Sequence, residues 1–479
     1  MRASLLLLLA LAGLHAVQSQ LVIEEAQRRI DISTFRSGHK TRLVIRNDGS
    51  AGEDVVVLCQ AAGLLDKVAI TEVALSGANL PWSAAPPPAG VPAGVGCRSY
   101  KLPEALAPGA RATLEAEALF THVLRPEPAK IRQSEPQRVV YQDSALLASP
   151  YRVEKQSTEV GARLVPRLRT RVVTGTSAVP SFTDVPPSKK SGSSLQYGPY
   201  QDTQPFTLKP ISVHYENFAA FAHVPELERE IEISHWGNVY FEERYHLRHA
   251  GAKITGEWSR YDLMTRPNDF ARGAIAAVGA TLPPTAHSLY YRDAIGNISS
   301  SEARFGRESV DVKLTPRFPL FGGWALQFLF GWSMPLQECV RKLPSGRLLF
   351  EAPIGPSVHN LVVDKLTVKV VLPEGARDVR LVSASGLGLA QDPAFETKYT
   401  YLDVVGRPVL VLRADNVVDE MNVPFKVEYS YSPMGLLQKL LLLVAAFGAL
   451  FAAAIMLNRS GASLKASSST PAVGKLHAS

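Results

Sequence analysis

Cysteine is scarce in this chain of 479 residues: Cys59, Cys97 and Cys339 are all it has. Three thiols allow at most one internal bridge, and without a Cys-x-x-Cys pair there is no thioredoxin-like redox centre. Helical periodicity is equally scarce between Gln20 and Ser432, and the 34 prolines of the chain, nearly all in that stretch, oppose long helices. The familiar signatures of catalysis are missing too. There is no Gly-x-Ser-x-Gly elbow, no phosphate loop, no His-Glu-x-x-His and no dinucleotide fingerprint. The net charge is +7, yet no basic run is interleaved with aromatics, so nucleic acid is not an expected partner.

The two ends of the chain are strongly apolar. Met1-Arg2 leads into Leu5–Leu14, a run too short to span a bilayer, and Val17 and Ser19 precede a cleavage site before Gln20. Residues 1–19 are therefore expected to be a secretory signal peptide. Near the other end, Leu440–Leu457 is uncharged and apolar. As a helix it covers about 27 Å, close to the roughly 30 Å of a hydrocarbon core. Residues 438–457 are expected to cross a membrane, with the bulk of the chain in the lumen as a type I protein. Residues 458–479, rich in Ser, Ala and Gly, are expected to be a short disordered cytosolic tail.

Between the ends, short alternating runs rich in Val, Ile, Tyr, Phe and Thr dominate, among them Thr41–Ile45, Ala112–Leu119, Lys365–Val371 and Phe425–Tyr429. Such runs, punctuated by Gly, Pro, Asn and Asp, predict half-buried antiparallel strands, and the fold class is mainly β. A repeat is visible in them. Arg28-Arg29-Ile30-Asp31-Ile32-Ser33 returns as Arg229-Glu230-Ile231-Glu232-Ile233-Ser234, both matching Arg-x-Ile-acid-Ile-Ser. Ser212-Val213-His214-Tyr215-Glu216 likewise returns as Lys426-Val427-Glu428-Tyr429-Ser430. Two tandem β-rich luminal domains arisen by duplication are expected, at residues 20–224 and 225–433. The Pro-, Ser- and Gly-rich stretch Thr174–Thr203 reads as a long loop inside the first, and Ser83–Gly94 as another exposed loop.

Residues Ile233 to His249, "ISHWGNVYFEERYHLRH", gather the densest set of chemistry-bearing side chains. Read as a strand, they place Val239, Phe241, Glu243, Tyr245 and Leu247 on one face and Tyr240, Glu242, Arg244, His246 and Arg248 on the other. His246 and His249 then point apart and cannot hold one ion together, and His235 precedes a Gly-Asn turn on a different segment. A zinc site needs three or four convergent ligands, so no metal, cofactor or catalytic residue is assigned. Glu242-Glu243 reads as a strand pair with a solvated glutamate rather than a general acid and base. Phe318-Pro319-Leu320-Phe321-Gly322-Gly323-Trp324 reads as a turn with core anchors more than as a ligand platform. Two covalent features remain: Asn297-Ile298-Ser299 is a glycosylation sequon, and Cys59–Cys97 is the economical disulfide.

Several of these segments occur in an order that resembles a known family. They include Thr121-His122-Val123-Leu124, Val213-His214-Tyr215-Glu216-Asn217, Ser234-His235-Trp236-Gly237-Asn238 and Ser259-Arg260-Tyr261-Asp262. Tyr290-Tyr291-Arg292-Asp293, Pro316-Arg317-Phe318 onward to Trp324, Leu372-Pro373-Glu374-Gly375-Ala376 and Tyr399-Thr400-Tyr401-Leu402-Asp403 follow. Together they resemble ribophorin I, a subunit of the oligosaccharyltransferase of the endoplasmic-reticulum membrane. The resemblance implies a non-catalytic subunit of a complex that transfers a preassembled glycan from dolichol pyrophosphate to Asn in Asn-x-Ser/Thr. It implies as partners the other subunits, including a polytopic catalytic one, nascent polypeptides and a nearby protein-conducting channel. It implies a role in complex stability and acceptor presentation, and it carries over no catalytic residue. Animal members continue into a long cytosolic helical region associated with ribosome contact; the present sequence ends at Ser479, so that role is not carried over. The alternative reading is a stand-alone type I receptor or adhesion protein with a β-sandwich ectodomain, which would be expected to carry more disulfides and a tail with signalling motifs.

Overall fold

The computed structural model describes residues 21–83, 91–161, 179, 181–267, 272–383, 393–400, 403–432 and 434–459. The expected signal peptide, most of the expected tail and parts of the two Pro-rich stretches lie outside these residues.

The repeat seen in the sequence is a repeat of sheet topology. In the first half, the opening strand Leu21–Asp31 pairs antiparallel with Ser37–Asn47 on one side and parallel with Val153–Gly161 on the other. In the second half, Ala222–Ser234 pairs antiparallel with Asn238–His249 and parallel with Val362–Val371. Each sheet then grows outward in the same way. Ser37–Asn47 is followed by Arg111–Phe120, as Asn238–His249 is followed by Ala325–Pro335. Val153–Gly161 is followed by Ser194–Thr203, as Val362–Val371 is followed by Arg407–Val418. Among the described residues the two large sheets have eight and seven strands. The smaller sheets correspond as well: Arg138–Ser144 pairs with Pro210–Glu216, and Leu348–Pro353 pairs with Pro424–Ser430.

Side-chain alternation explains why these segments are strands. In Asn238–His249 every second residue from Val239 to His249 is buried and the intervening ones are exposed or half-exposed. In the opening strands the repeated Arg-x-Ile places arginine and isoleucine on the inner face together, so Arg28 and Arg229 are both buried. Each guanidinium meets a buried carboxylate. Arg28 pairs with Asp143, donates to the Ser144 carbonyl at 3.0 Å and lies 3.2 Å from Nδ1 of His39. Arg229 pairs with Glu243 at 2.6 Å, donates to the Gly355 carbonyl and stands 5.6 Å from the ring centres of Phe241 and Trp332. Each carboxylate also accepts from a tyrosine, Tyr141 on Asp143 and Tyr245 on Glu243, both at 2.6 Å. Burial, followed by the positive charge of Arg28, depresses His39 to about 3, so its ring stays neutral.

The closing strands fasten back onto the opening ones. Tyr215 donates to the Ile32 carbonyl at 2.7 Å, and the hydroxyl of Tyr429 lies 2.9 Å from Nε2 of His235. The turn between halves falls between Glu216 and Ala222, so the expected boundary at residue 224 lies inside a strand. The two halves are not beads on a string. Buried Arg36 of the first half reaches Asp419 at 2.9 Å and Glu420 at 2.7 Å of the second. Thr121 donates to Asn416, and Lys130–Ile131 pairs in parallel with Lys253–Ile254.

One expectation is corrected. Thr174–Thr203 is not one long loop, because Ser181–Phe182, Ser188–Ser191 and Ser194–Thr203 are strands. Pairing with Val153–Gly161 supplies the backbone partners, and buried Leu195, Tyr197 and Tyr200 anchor the segment despite its composition. At the far end, Met434–Arg459 is a helix, a little longer than the span expected from hydropathy.

Removing one partner of a buried ion pair strands the other charge. Arg229→Ala is therefore expected to destabilise the fold by about 3–5 kcal/mol, and the paired change Arg229→Met with Glu243→Leu by clearly less. Denaturant unfolding of the detergent-solubilised chain measures both; equal losses would mean that the pair is not what these side chains contribute.

Candidate functional site

The chemistry-bearing run from Ile233 to His249 folds as a strand, a tight turn and a second strand. Its histidines end in three separate places. His235 stacks on Tyr431 with ring centres 4.3 Å apart, His246 faces solvent, and His249 is buried with Nε2 on the Gly273 carbonyl. Burial lowers both His235 and His249 below the usual imidazole range. The adjacent glutamates also part. Half-buried Glu242 accepts from Tyr290 at 2.6 Å and from Arg244 at 2.8 Å. Glu243 is wholly buried on Arg229, Tyr245 and Ser357, an ion pair that an isolated reading of the strand does not reveal. Neither geometry sets two carboxylates across a shared space.

The run Phe318–Trp324 splits between two roles. Leu320 and Phe321 are core anchors, and Gly322 lies so close to the Ala252 carbonyl that a Cβ would sit 1.8 Å from its oxygen. Gly323, at φ +84°, turns the chain in a conformation that L side chains rarely adopt. Phe318 and Trp324, by contrast, line an open groove of about 770 Å³ with Trp258, Leu263 and Met264. The second wall is a short helix, Arg260–Thr265, whose first turn is capped by Ser259 accepting from the Asp262 amide at 3.1 Å. Trp258 and Phe318 meet Trp324 edge-on, at 5.7 and 5.9 Å between ring centres. The indole N–H of Trp258 is buried without a hydrogen-bond partner. Arg260 and Arg317 line the same groove, and Arg317 is bound to Asp293 at 2.6 Å. That salt bridge, opposed by burial, holds the Asp293 carboxyl down at about 2.

Asn297 is exposed on a turn beside Arg292. Cys59 and Cys97 are register partners on antiparallel strands, joined with their Cα atoms 4.0 Å apart, and Cys339 is buried with its thiol pushed up to about 11, chiefly by burial. A further group of ligating side chains escaped sequence reasoning: His122, His223 and Asp364 converge at the boundary of the two halves, their ligand atoms within 4.8 Å of one another. Only the segment Thr121–Leu124 among the family-like motifs pointed toward it.

The C-terminal helix is apolar all round. The segment Leu440–Arg459 has a mean hydropathy of 2.7 and none of it is buried against the body. A duplicated β body ending in one helix long and apolar enough to cross a bilayer fits a single-pass membrane protein. The Ribophorin I family profile matches residues 21–458, and the chain belongs to the ribophorin I family. Dolichyl-diphosphooligosaccharide–protein glycosyltransferase subunit 1A of Arabidopsis thaliana is 39% identical over 474 residues, covering 97% of this chain and 74% of its own. Subunit 1B of the same plant is 36% identical over 457 residues, covering 94% of each. Subunit 1 of Caenorhabditis elegans is 37% identical over 354 residues, covering 74% of this chain and 58% of its own. Among solved structures, an M1 zinc metallopeptidase from Deinococcus radiodurans aligns with 44% of this chain and 42% of its own, at 9% identity and a TM-score of 0.25. So low a score carries no inference about this chain.

Peptide mapping without reductant is expected to recover Cys59 linked to Cys97 and Cys339 as a free, slowly alkylated thiol. By loop entropy over a sequence separation of 38, Cys59→Ser should cost about 4 kcal/mol of stability. Endoglycosidase digestion should increase the mobility of the wild type and leave Asn297→Gln unchanged; identical shifts would show that Asn297 carries no glycan.

Proposed function

We propose that this chain is a non-catalytic subunit of the oligosaccharyltransferase in the endoplasmic-reticulum membrane, anchored as a single-pass type I protein with its β body in the lumen. The observation that carries this reading is the similarity along nearly the whole chain to proteins named as subunit 1 of the dolichyl-diphosphooligosaccharide–protein glycosyltransferase. The reaction moves a preassembled glycan from dolichol pyrophosphate to the asparagine of Asn-x-Ser/Thr. In this reading the reacting groups, with the lipid-linked donor, belong to a separate polytopic subunit, and the present chain supports the complex and helps present the acceptor. The names of the relatives do not favour the alternative of a stand-alone receptor.

Two physical features support the assignment of roles. The helix exposes Leu440, Leu441, Leu442 and Leu443 around its circumference, an apolar surface suited to lipid and to neighbouring membrane helices. The groove between Trp258 and Trp324 has the dimensions of a ligand site, with aromatic walls and two arginines, Arg260 and Arg317, in its lining. An extended acceptor segment, rich in carbonyl groups and still unfolded, is the occupant this surface suits.

Gentle detergent extraction followed by mass spectrometry tests the complex: the polytopic transferase subunit should co-purify, and its absence would overturn the proposal. Depletion of the chain should leave sequons on secreted proteins under-occupied. Trp258→Ala with Trp324→Ala should lower occupancy while the complex stays assembled; loss of assembly instead would move the groove from acceptor contact to subunit contact.

A further inference from the structure

His122, His223 and Asp364 are brought together by three different elements. His122 follows the strand Arg111–Phe120 of the first half, His223 lies at the start of Ala222–Ser234, and Asp364 lies in Val362–Val371. The last two strands pair in parallel with His223 opposite Val362, which sets Asp364 beside the imidazole. Nε2 of His122 is 2.9 Å from Oδ1 of Asp364, and Nε2 of His223 is 2.8 Å from the same oxygen. The two rings stand edge to face, 4.8 Å between centres. His223 Nε2 is buried, yet it meets no partner at hydrogen-bonding geometry.

We propose that His122, His223 and Asp364 form a site for a borderline divalent cation, Zn²⁺ in particular, that bridges the two halves of the body. The donor set is two imidazole nitrogens and one carboxylate oxygen. That composition suits zinc, whereas calcium and magnesium call for oxygen ligands throughout. Tetrahedral bonds of about 2.0–2.1 Å put neighbouring donors roughly 3.3 Å apart. The nitrogen–oxygen contacts at 2.8 and 2.9 Å therefore need to open by only about half an ångström. The side chains can give that much, because His122 and Asp364 are 40% and 37% exposed. Each imidazole would present its Nε2 lone pair with the proton on Nδ1, which also ends the crowding of two nitrogens on one carboxylate oxygen. Solvent on the exposed side leaves room for a water in the fourth position. Because His122 comes from one half and the other two ligands from the second, the ion would strap the halves together, beside the Arg36 contacts to Asp419 and Glu420. This inference is independent of the function proposed above.

The test uses the full-length chain in detergent, stripped with a chelator and titrated with Co²⁺ and then Zn²⁺. One Co²⁺ per chain should give the intense visible bands of four-coordinate cobalt, and Zn²⁺ should abolish them. His223→Ala and Asp364→Asn should each weaken Zn²⁺ binding by at least about tenfold, while His246→Ala, an exposed histidine elsewhere, should not. Zn²⁺ should raise the melting temperature of the wild type and not of those two variants. A readout on the wild type alone guards against misfolded variants: Zn²⁺ should protect His122 and His223 from diethylpyrocarbonate. Absence of saturable Zn²⁺ binding, binding unaltered in both ligand variants, or equal modification with and without Zn²⁺ would reduce the cluster to a hydrogen-bonded contact and overturn the proposal.

Discussion

Two guanidinium groups, those of Arg28 and Arg229, are held inside the protein, and the organisation of each half follows from keeping them there. A buried cation is tolerated only where an anion and further hydrogen bonds replace its water. In the first half the anion is Asp143, from the smaller sheet, so the arginine ties that sheet to the large one. In the second half it is Glu243, from the neighbouring strand of the same sheet, and Ser357 and the Gly355 carbonyl complete the shell from the connection before Val362–Val371. The repeat thus preserves the arginine and a tyrosine on its carboxylate, while the source of the carboxylate differs. In the second half the stacked rings of Phe241 and Trp332 lie over the guanidinium and give its carbon face a partner that solvent cannot.

The equivalent strands of the two halves are built on the same parallel pairing of an opening strand with one much later in the chain. Such a pairing needs a long crossover, and the intervening residues form the outer strands and the smaller sheets. The halves then share a boundary that is polar as well as apolar. Arg36, Thr121 and His122 of the first half all meet side chains of the second, and Leu119 belongs to the second half's hydrophobic core. This boundary joins the two halves into one continuous body, and the C-terminal helix Met434–Arg459 contributes no described residue to its hydrophobic clusters.

Much of this architecture was legible beforehand. Alternation with a period of two marked the strands because half-buried sheets impose it side chain by side chain, and Asn238–His249 shows the pattern without a break. The six-residue repeat marked the duplication because the same buried face recurs at the same place in each sheet. The apolar run at the C-terminal end marked the helix because lipid leaves the backbone no other partners. Ser194–Thr203 was misread, since its glycine, proline and serine argue for a loop until pairing with Val153–Gly161 supplies the hydrogen bonds that composition cannot foretell.

The sequence by itself determined the strands, the repeat, the apolar helix and, through its ordered motifs, the family. Only the tertiary structure decided which side chains meet. It buried Glu243 on Arg229, set Trp258 against Trp324, placed Cys59 opposite Cys97, and gathered His122, His223 and Asp364 at one point. The physical reason is range. Periodicity and capping are written in neighbouring residues, whereas these contacts join side chains from different elements, between 14 and 242 positions apart in the chain. Strand register sets them, and register is fixed by the core as a whole.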